Sequence, residues 1–178
     1  MAITGGIGVT CTSAGCSGGI SRFYVANKED LDATIGVNGF TAGATGIFTA
    51  VTMVALAVFF EVVPTRFTGE FRENGAAGEN PCNYAYTQEL EFTLPCNTVT
   101  ERNFIAELQS QNCCGIVVIA EKTDGTLWAM GYLTNQFMIM QTSAATSGKA
   151  LTDSNQAVIT LQTLAVEPAK QFTGTVPV

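Results

Sequence analysis

Tyr84-Ala-Tyr-Thr-Gln-Glu-Leu-Glu-Phe-Thr-Leu94 decides how the chain reads. Tyr84, Tyr86, Leu90, Phe92 and Leu94 occupy even positions, with Gln88 the polar exception, and Thr87, Glu89, Glu91 and Thr93 occupy odd ones. An alternation of period two is a strand with one face on a core and the other toward water or a partner. Just downstream, Thr98-Val-Thr-Glu101 has the spacing of a capping box, in which hydroxyl and carboxylate satisfy each other's backbone amides. The helix it opens runs to about Asn112, with Phe104, Ile105 and Leu108 on one face. Cys113-Cys114-Gly115 ends it, the glycine suiting a left-handed exit. Gly115 to Lys122 is a β-branched run and reads as a buried strand, Thr123-Asp-Gly-Thr126 as a hairpin turn, and Leu127 to Tyr132 as the returning strand.

Upstream, residues 1–18 are rich in Gly, Ser and Thr and read as an irregular arm, ordered against a neighbour. Ile20 to Val25 reads as a strand, Asn27 to Asp30 as a polar turn, and Leu31 to Thr45 as loop. Ile47 to Met53 and Val58 to Phe71 read as two strands. Periodicity does not separate a tight hairpin from a short helix at Val54-Ala-Leu-Ala57, and Val51, Val54 and Val58 favour the hairpin. Pro64 inside the second strand points to a sheet edge or a bulge, because proline offers no amide to a ladder. Arg72 to Pro81 reads as a flexible loop at the tip of a long protruding hairpin. Arg72, Glu73, Asn74, Gly75, Gly78, Glu79 and Asn80 are its candidate contacts with another subunit, against the plainer reading of a solvated surface loop.

Beyond the centre, Gln136 to Gln141 reads as a strand and Ser143 to Asn155 as a loop. In Gln156 to Val166, Val158, Thr160, Gln162 and Leu164 alternate with Ala157, Ile159, Leu161 and Thr163, which predicts a late strand. Pro168 ends it, and Lys170 to Val178 reads as a tail. Seven or eight strands and one helix predict a mostly β fold of α+β type. The expected form is an antiparallel β-sandwich or partly closed barrel with one packed helix. Residues 1–178 read as one domain, with an arm at 1–18 and a tail at 168–178.

Composition narrows the chemistry. Only 13% of residues are charged, about half the usual share, which suggests surface covered by other protein. The net charge is −7 and the eight basic residues form no cluster, which argues against tight nucleic-acid binding. Histidine is absent, removing the commonest general base and metal ligand. The start Met1 to Gly8 lacks the basic region and apolar core of a signal peptide, and Ala50 to Phe60 is too short to span a bilayer, so no membrane span is expected. The six cysteines (Cys11, Cys16, Cys82, Cys96, Cys113, Cys114) then read as free thiols packed as small hydrophobes. The competing metal reading joins Cys11 and Cys16 to Cys113 and Cys114 at a spacing looser than a zinc ribbon.

No nucleophile is paired with a base, and Gly5-Gly-Ile-Gly8 lacks the lysine of a phosphate loop, so no enzyme, cofactor or metal is expected. Glu89 and Glu91 share a strand face and suit an interface better than acid–base work. Trp128 and Tyr132 are candidates for stacking a sugar, in a carbohydrate-binding β-sandwich, or simply core aromatics.

Three pieces carry a family resemblance: Cys16-Ser-Gly-Gly-Ile-Ser-Arg-Phe-Tyr-Val-Ala-Asn-Lys-Glu-Asp-Leu31, Phe59-Phe-Glu-Val-Val-Pro-Thr-Arg-Phe-Thr-Gly-Glu-Phe71 and Cys114-Gly-Ile-Val-Val-Ile-Ala-Glu-Lys-Thr-Asp-Gly-Thr-Leu-Trp-Ala-Met-Gly-Tyr132. In this order the chain resembles virion structural proteins of tailed phages infecting Bacteroidota. Its order of elements is similar to that of the tail-tube, or major tail protein, family. The apolar Val54 to Val58 segment and the cysteine count depart from that family. The resemblance implies a homo-oligomer of stacked rings, hexameric in that family, built in the host cytoplasm into a virion alongside other virion proteins. It also implies that Thr87, Glu89 and Glu91 face a channel through which DNA passes without being held. A capsid decoration or head–tail joining protein is the neighbouring alternative.

Overall fold

The computed structural model describes residues 19–79, 83–96, 98–147 and 155–178. The expected arm 1–18 and Asn80 of the expected inter-subunit loop lie outside the described residues.

The described residues form two sheets and one α-helix. The strands are β1 (Ile20–Asn27), β2 (Phe40–Ala42), β3 (Phe48–Val51), β4 (Phe60–Val62), β5 (Glu70–Ala77), β6 (Tyr84–Pro95), β7 (Ile116–Lys122), β8 (Leu127–Met130), β9 (Ile139–Thr146), β10 (Gln156–Ala165) and β11 (Lys170–Phe172), with α1 (Val99–Ser110) between β6 and β7. A seven-stranded sheet runs β2-β3-β11-β8-β7-β1-β4, and a four-stranded sheet runs β5-β6-β10-β9. Neither closes into a barrel, so of the two expected forms the sandwich is the one present.

The main core lies between the sheets. Leu90, Phe92 and Leu94 of β6 and Ile159 and Leu161 of β10 meet Phe23 and Val25 of β1 and Val118 and Ala120 of β7. Phe23 and Phe92 join the layers with ring centroids 4.5 Å apart. Leu108 of α1 reaches the same core, with Phe104 and Ile105 packed beside it. At the start of α1 the capping box forms: the Glu101 carboxylate accepts the Thr98 amide at 2.9 Å and also the Thr98 hydroxyl. A second core covers the opposite face of the larger sheet, where Phe40, Phe48, Phe59, Tyr132 and Phe172 surround Val117 and Ile119. β7 is therefore buried on both faces, which is why its sequence is a continuous apolar run and not an alternation.

Seven expectations are corrected. Among the described residues eleven strands form where seven or eight were expected, and β2 lies within Leu31 to Thr45, expected as loop. Val58 to Phe71 is not one strand: β4 ends at Val62, residues 63–69 cross to the other sheet, and β5 begins at Glu70. The Thr65 amide donates to the Thr93 carbonyl at 2.7 Å during that crossing. Pro64, buried at its start, marks where the ladder with β1 stops. No hairpin forms at Val54 to Ala57, because β3 and β4 lie near opposite ends of the sheet; the segment turns through Leu56, at φ 66°. The strand expected at Gln136 to Gln141 begins at Ile139 and runs on through Ser143 to Thr146, once expected to be loop. The tail from Lys170 opens with β11, set between β3 and β8 with Phe172 buried. The described cysteines Cys96, Cys113 and Cys114 are free, as expected, but exposed instead of packed in the core.

Candidate functional site

The outer face of the four-stranded sheet collects the residues singled out from the sequence. In β6, Gln88, Leu90, Phe92 and Leu94 turn inward and are buried, while Thr87, Glu89 and Glu91 turn outward and are half-buried. The register sets Glu70, Arg72 and Asn74 of β5 opposite Glu91, Glu89 and Thr87. On the other side β10 sets Thr160, Gln162 and Leu164 opposite the same three residues. The result is a wall of carboxylates, hydroxyls and amides around one guanidinium, with the exposed Leu164 at the Thr87 end.

Arg72 is the electrostatic centre of that wall. Its Nη2 lies 2.8 Å from Glu91 and 3.8 Å from Glu89, and its Nε lies 3.2 Å from Glu70. One guanidinium faces three carboxylates, so the patch stays acidic. All four side chains keep contact with water, which limits each pair to less than about 1 kcal/mol.

The expected inter-subunit loop is shorter than the sequence suggested. Arg72, Glu73, Asn74 and Gly75 belong to β5, paired through Ala77 with Tyr84. Cross-strand hydrogen bonding overrides the weak strand preference of Glu-Asn-Gly-Ala-Ala. Glu73 points inward, where its carboxylate accepts the Ala169 amide at 2.7 Å. It holds the Glu167–Ala169 crossing. The Tyr84 ring covers Gly75 so closely that a β-carbon there would lie 2.4 Å from it. Gly78 and Glu79 are exposed at the tip, where the Gly78 amide donates to Asn83. From Asn74 onward β5 is exposed, so the hairpin does project.

Both edges of this sheet lack a further strand among the described residues. β5 is one edge. β9 is the other, and Asn112 covers its beginning by pairing with the Met140 amide at 2.8 Å and carbonyl at 3.1 Å. Past that clip, Gln141 to Ala145 are all exposed. A hollow of about 440 Å³ beside β9 is lined by Thr87, Gln136, Gln141, Gln162, Thr163 and Leu164, so its polar groups are amides and hydroxyls.

Trp128 and Tyr132 do not share a surface. Trp128 packs toward the inter-sheet core, whereas Tyr132 is buried in the second core and donates its hydroxyl to the Pro168 carbonyl at 3.0 Å. Gly131, at φ 68°, breaks the alternation between them and sends Tyr132 to the other face. Burial, with the Glu167 and Glu73 carboxylates nearby, pushes the Tyr132 hydroxyl far above its ordinary pKa. Among the described residues no His, Cys, Asp and Glu gather as a metal site, and no helix is long and apolar enough to cross a membrane.

Sequence reasoning missed two features. Arg72 was assigned to a loop, although its opposite charge to Glu89 and Glu91 at hairpin distance was a usable signal. The exposed apolar edge at Phe60, Val63 and Phe67 was hidden inside an assumed long strand, with Pro64 the one clue. Comparison with family models, with curated proteins and with solved structures finds no match for this chain.

Proposed function

We propose that the chain is a structural, self-assembling subunit whose four-stranded sheets join side by side into a ring, as in a phage tail tube. One observation carries the reading: among the described residues the sheet has two open edges that suit each other. Strand direction alternates at every step from β5 through β6 and β10 to β9. β9 of one copy therefore runs opposite to β5 of the next, and the antiparallel pattern continues across the junction. Such a head-to-tail contact closes a ring when its rotation closes, and stacked rings make a tube. Closure also removes the exposed edges, which are otherwise templates for aggregation.

In this arrangement Thr87, Glu89 and Glu91 face the bore. Six copies would supply about 24 strands, and at ~4.8 Å per strand the circumference is roughly 115 Å, or ~37 Å across at the backbone before tilt widens it. That bore admits a nucleic-acid duplex, and acidic walls keep phosphates from adhering. The family resemblance and the low charge support the same reading. Negative-stain microscopy of the purified protein at high concentration tests it. Rings or tubes are expected, and particles that remain monomeric under all conditions overturn it.

A further inference from the structure

β9 is closed at its start and differs farther on. Met138, just before the strand, and Met140, within it, stand two apart, so both turn their main-chain groups to the same side. The chain at 112–116 meets them there. Ile116 and Met138 exchange both main-chain hydrogen bonds, each at 2.9 Å. At Met140 a side chain takes over: Asn112 Oδ1 accepts the amide at 2.8 Å, and Asn112 Nδ2 donates to the carbonyl at 3.1 Å. A primary amide offers the same donor and acceptor as a peptide unit, so Asn112 stands where a neighbouring strand's residue would. The Gln111 carbonyl holds the turn beside it by accepting the Cys114 and Gly115 amides at 3.0 and 2.7 Å.

Beyond Met140 the alternation restarts. Leu161 faces Met140 and Thr160 faces Thr142, which leaves Gln141 as the extra residue of a bulge. Ser143 and Ala145, opposite the buried Ile159 and Ala157, are then the positions of β9 that turn main chain away from β10. Among the described residues no strand pairs with them. No side chain from Ile139 to Thr146 is charged, so this half lacks the charges that commonly guard a free edge.

We propose that Asn112 is a register stop: it closes β9 at Met140 and leaves Ser143 and Ala145 as the hydrogen-bonding positions for β5 of a second copy. This rests on the edge-to-edge reading and sets how far along β9 that contact runs. Carried strand by strand across the ladder, the same alternation turns the main chain of Phe71, Glu73, Gly75 and Ala77 away from β6. These four residues and Ser143 and Ala145 all belong to the inner face of the sheet, so pairing the two sets keeps both faces continuous. A shift of one residue would turn the inner face of the next copy outward. A shift of two toward the start of β9 keeps the faces but needs Met140, whose two groups are already bonded. Displacing Asn112 there exchanges hydrogen bonds without adding any.

Amide exchange, followed residue by residue in the dilute full chain and in assembled particles, tests the stop. In the dilute wild-type chain the Met140 amide should exchange slowly and the Ser143 and Ala145 amides fast. Asn112→Ala should speed exchange at Met140 by on the order of tenfold or more, while Asn112→Asp, which keeps the acceptor, should leave it slow. In wild-type particles Ser143 and Ala145 should become slow as well. Particles of Asn112→Ala should show mixed diameters in negative stain where wild-type particles are uniform. A Met140 amide that stays slow in Asn112→Ala, or Asn112→Ala particles as uniform as wild type and of the same diameter, overturns the stop and leaves the edge-to-edge reading standing. A wild-type chain that never assembles overturns that reading, and the stop with it.

Discussion

Arg72 bonds more closely to Glu91, at 2.8 Å, than to Glu89, which stands directly opposite it in the ladder at 3.8 Å. The guanidinium reaches diagonally, and its Nε side holds Glu70 as well. A single cation thus keeps three half-exposed carboxylates together on one edge of the sheet. Arg72→Ala should cost about 0.5–1 kcal/mol at low salt, and the difference should shrink as salt screens the patch. Urea titrations of both proteins at two ionic strengths measure it.

Reversing the charge of the wall tests its role. Glu89→Lys with Glu91→Lys should preserve the fold, since neither carboxylate is buried. The patch would then hold three cations and one carboxylate. Assembled particles of the variant should bring duplex DNA down on sedimentation at low salt and release it at high salt, whereas wild-type particles should not. Variant particles that leave DNA in solution would separate this face from any passage.

Tyr132 makes stability fall in alkali. Its hydroxyl is held protonated in the fold, while the unfolded chain ionises near pH 10. Below that pH the contribution is fully present. Above it the unfolded state has lost a proton that the folded state keeps, so stability drops by up to ~1.4 kcal/mol per pH unit until the folded pKa is reached. Tyr132→Phe should cost about 1 kcal/mol at neutral pH through the lost bond to Pro168, yet flatten the slope above pH 10. Denaturation midpoints from pH 8 to 11 compare the two.

Two glycines separate backbone strain from crowding. Gly125 and Gly131 both have positive φ, at 82° and 68°. A β-carbon at Gly125 meets nothing within 4 Å, whereas at Gly131 it meets Met138 at 2.8 Å and the Ile116 carbonyl at 2.9 Å. Gly125→Ala should cost about 1 kcal/mol, and Gly131→Ala more than about 2 kcal/mol with loss of cooperativity. Thermal unfolding of the pair shows whether the switch that sends Tyr132 to the second core is as tight as drawn.

What could be read from the sequence was local. The alternation in β6 and β10, the double-sided apolar run of β7, the Asp-Gly turn and the capping box at Thr98 each depend on neighbours a few residues apart. β5 was hidden because Asn-Gly-Ala-Ala has little strand preference of its own and is a strand through pairing with β6. β11 was hidden because three residues find their partners more than a hundred positions away, at Phe48, and about forty away, on β8. Thr87, Glu89 and Glu91 were legible as one face. Arg72 was not, since its place follows from β5. The exposed edge at Phe60 could not be told from a buried run, because periodicity reports apolar character and not which strand ends a sheet.

The central claim is that copies meet edge to edge, β9 on β5, around an acidic bore. A cryo-electron-microscopy map of the assembled particle tests it most directly. The account predicts β9 of one copy beside β5 of the next at ~4.8 Å, with Glu89 and Glu91 facing an open channel. A map in which that face is packed against protein, or in which either edge stands unpaired, would contradict it.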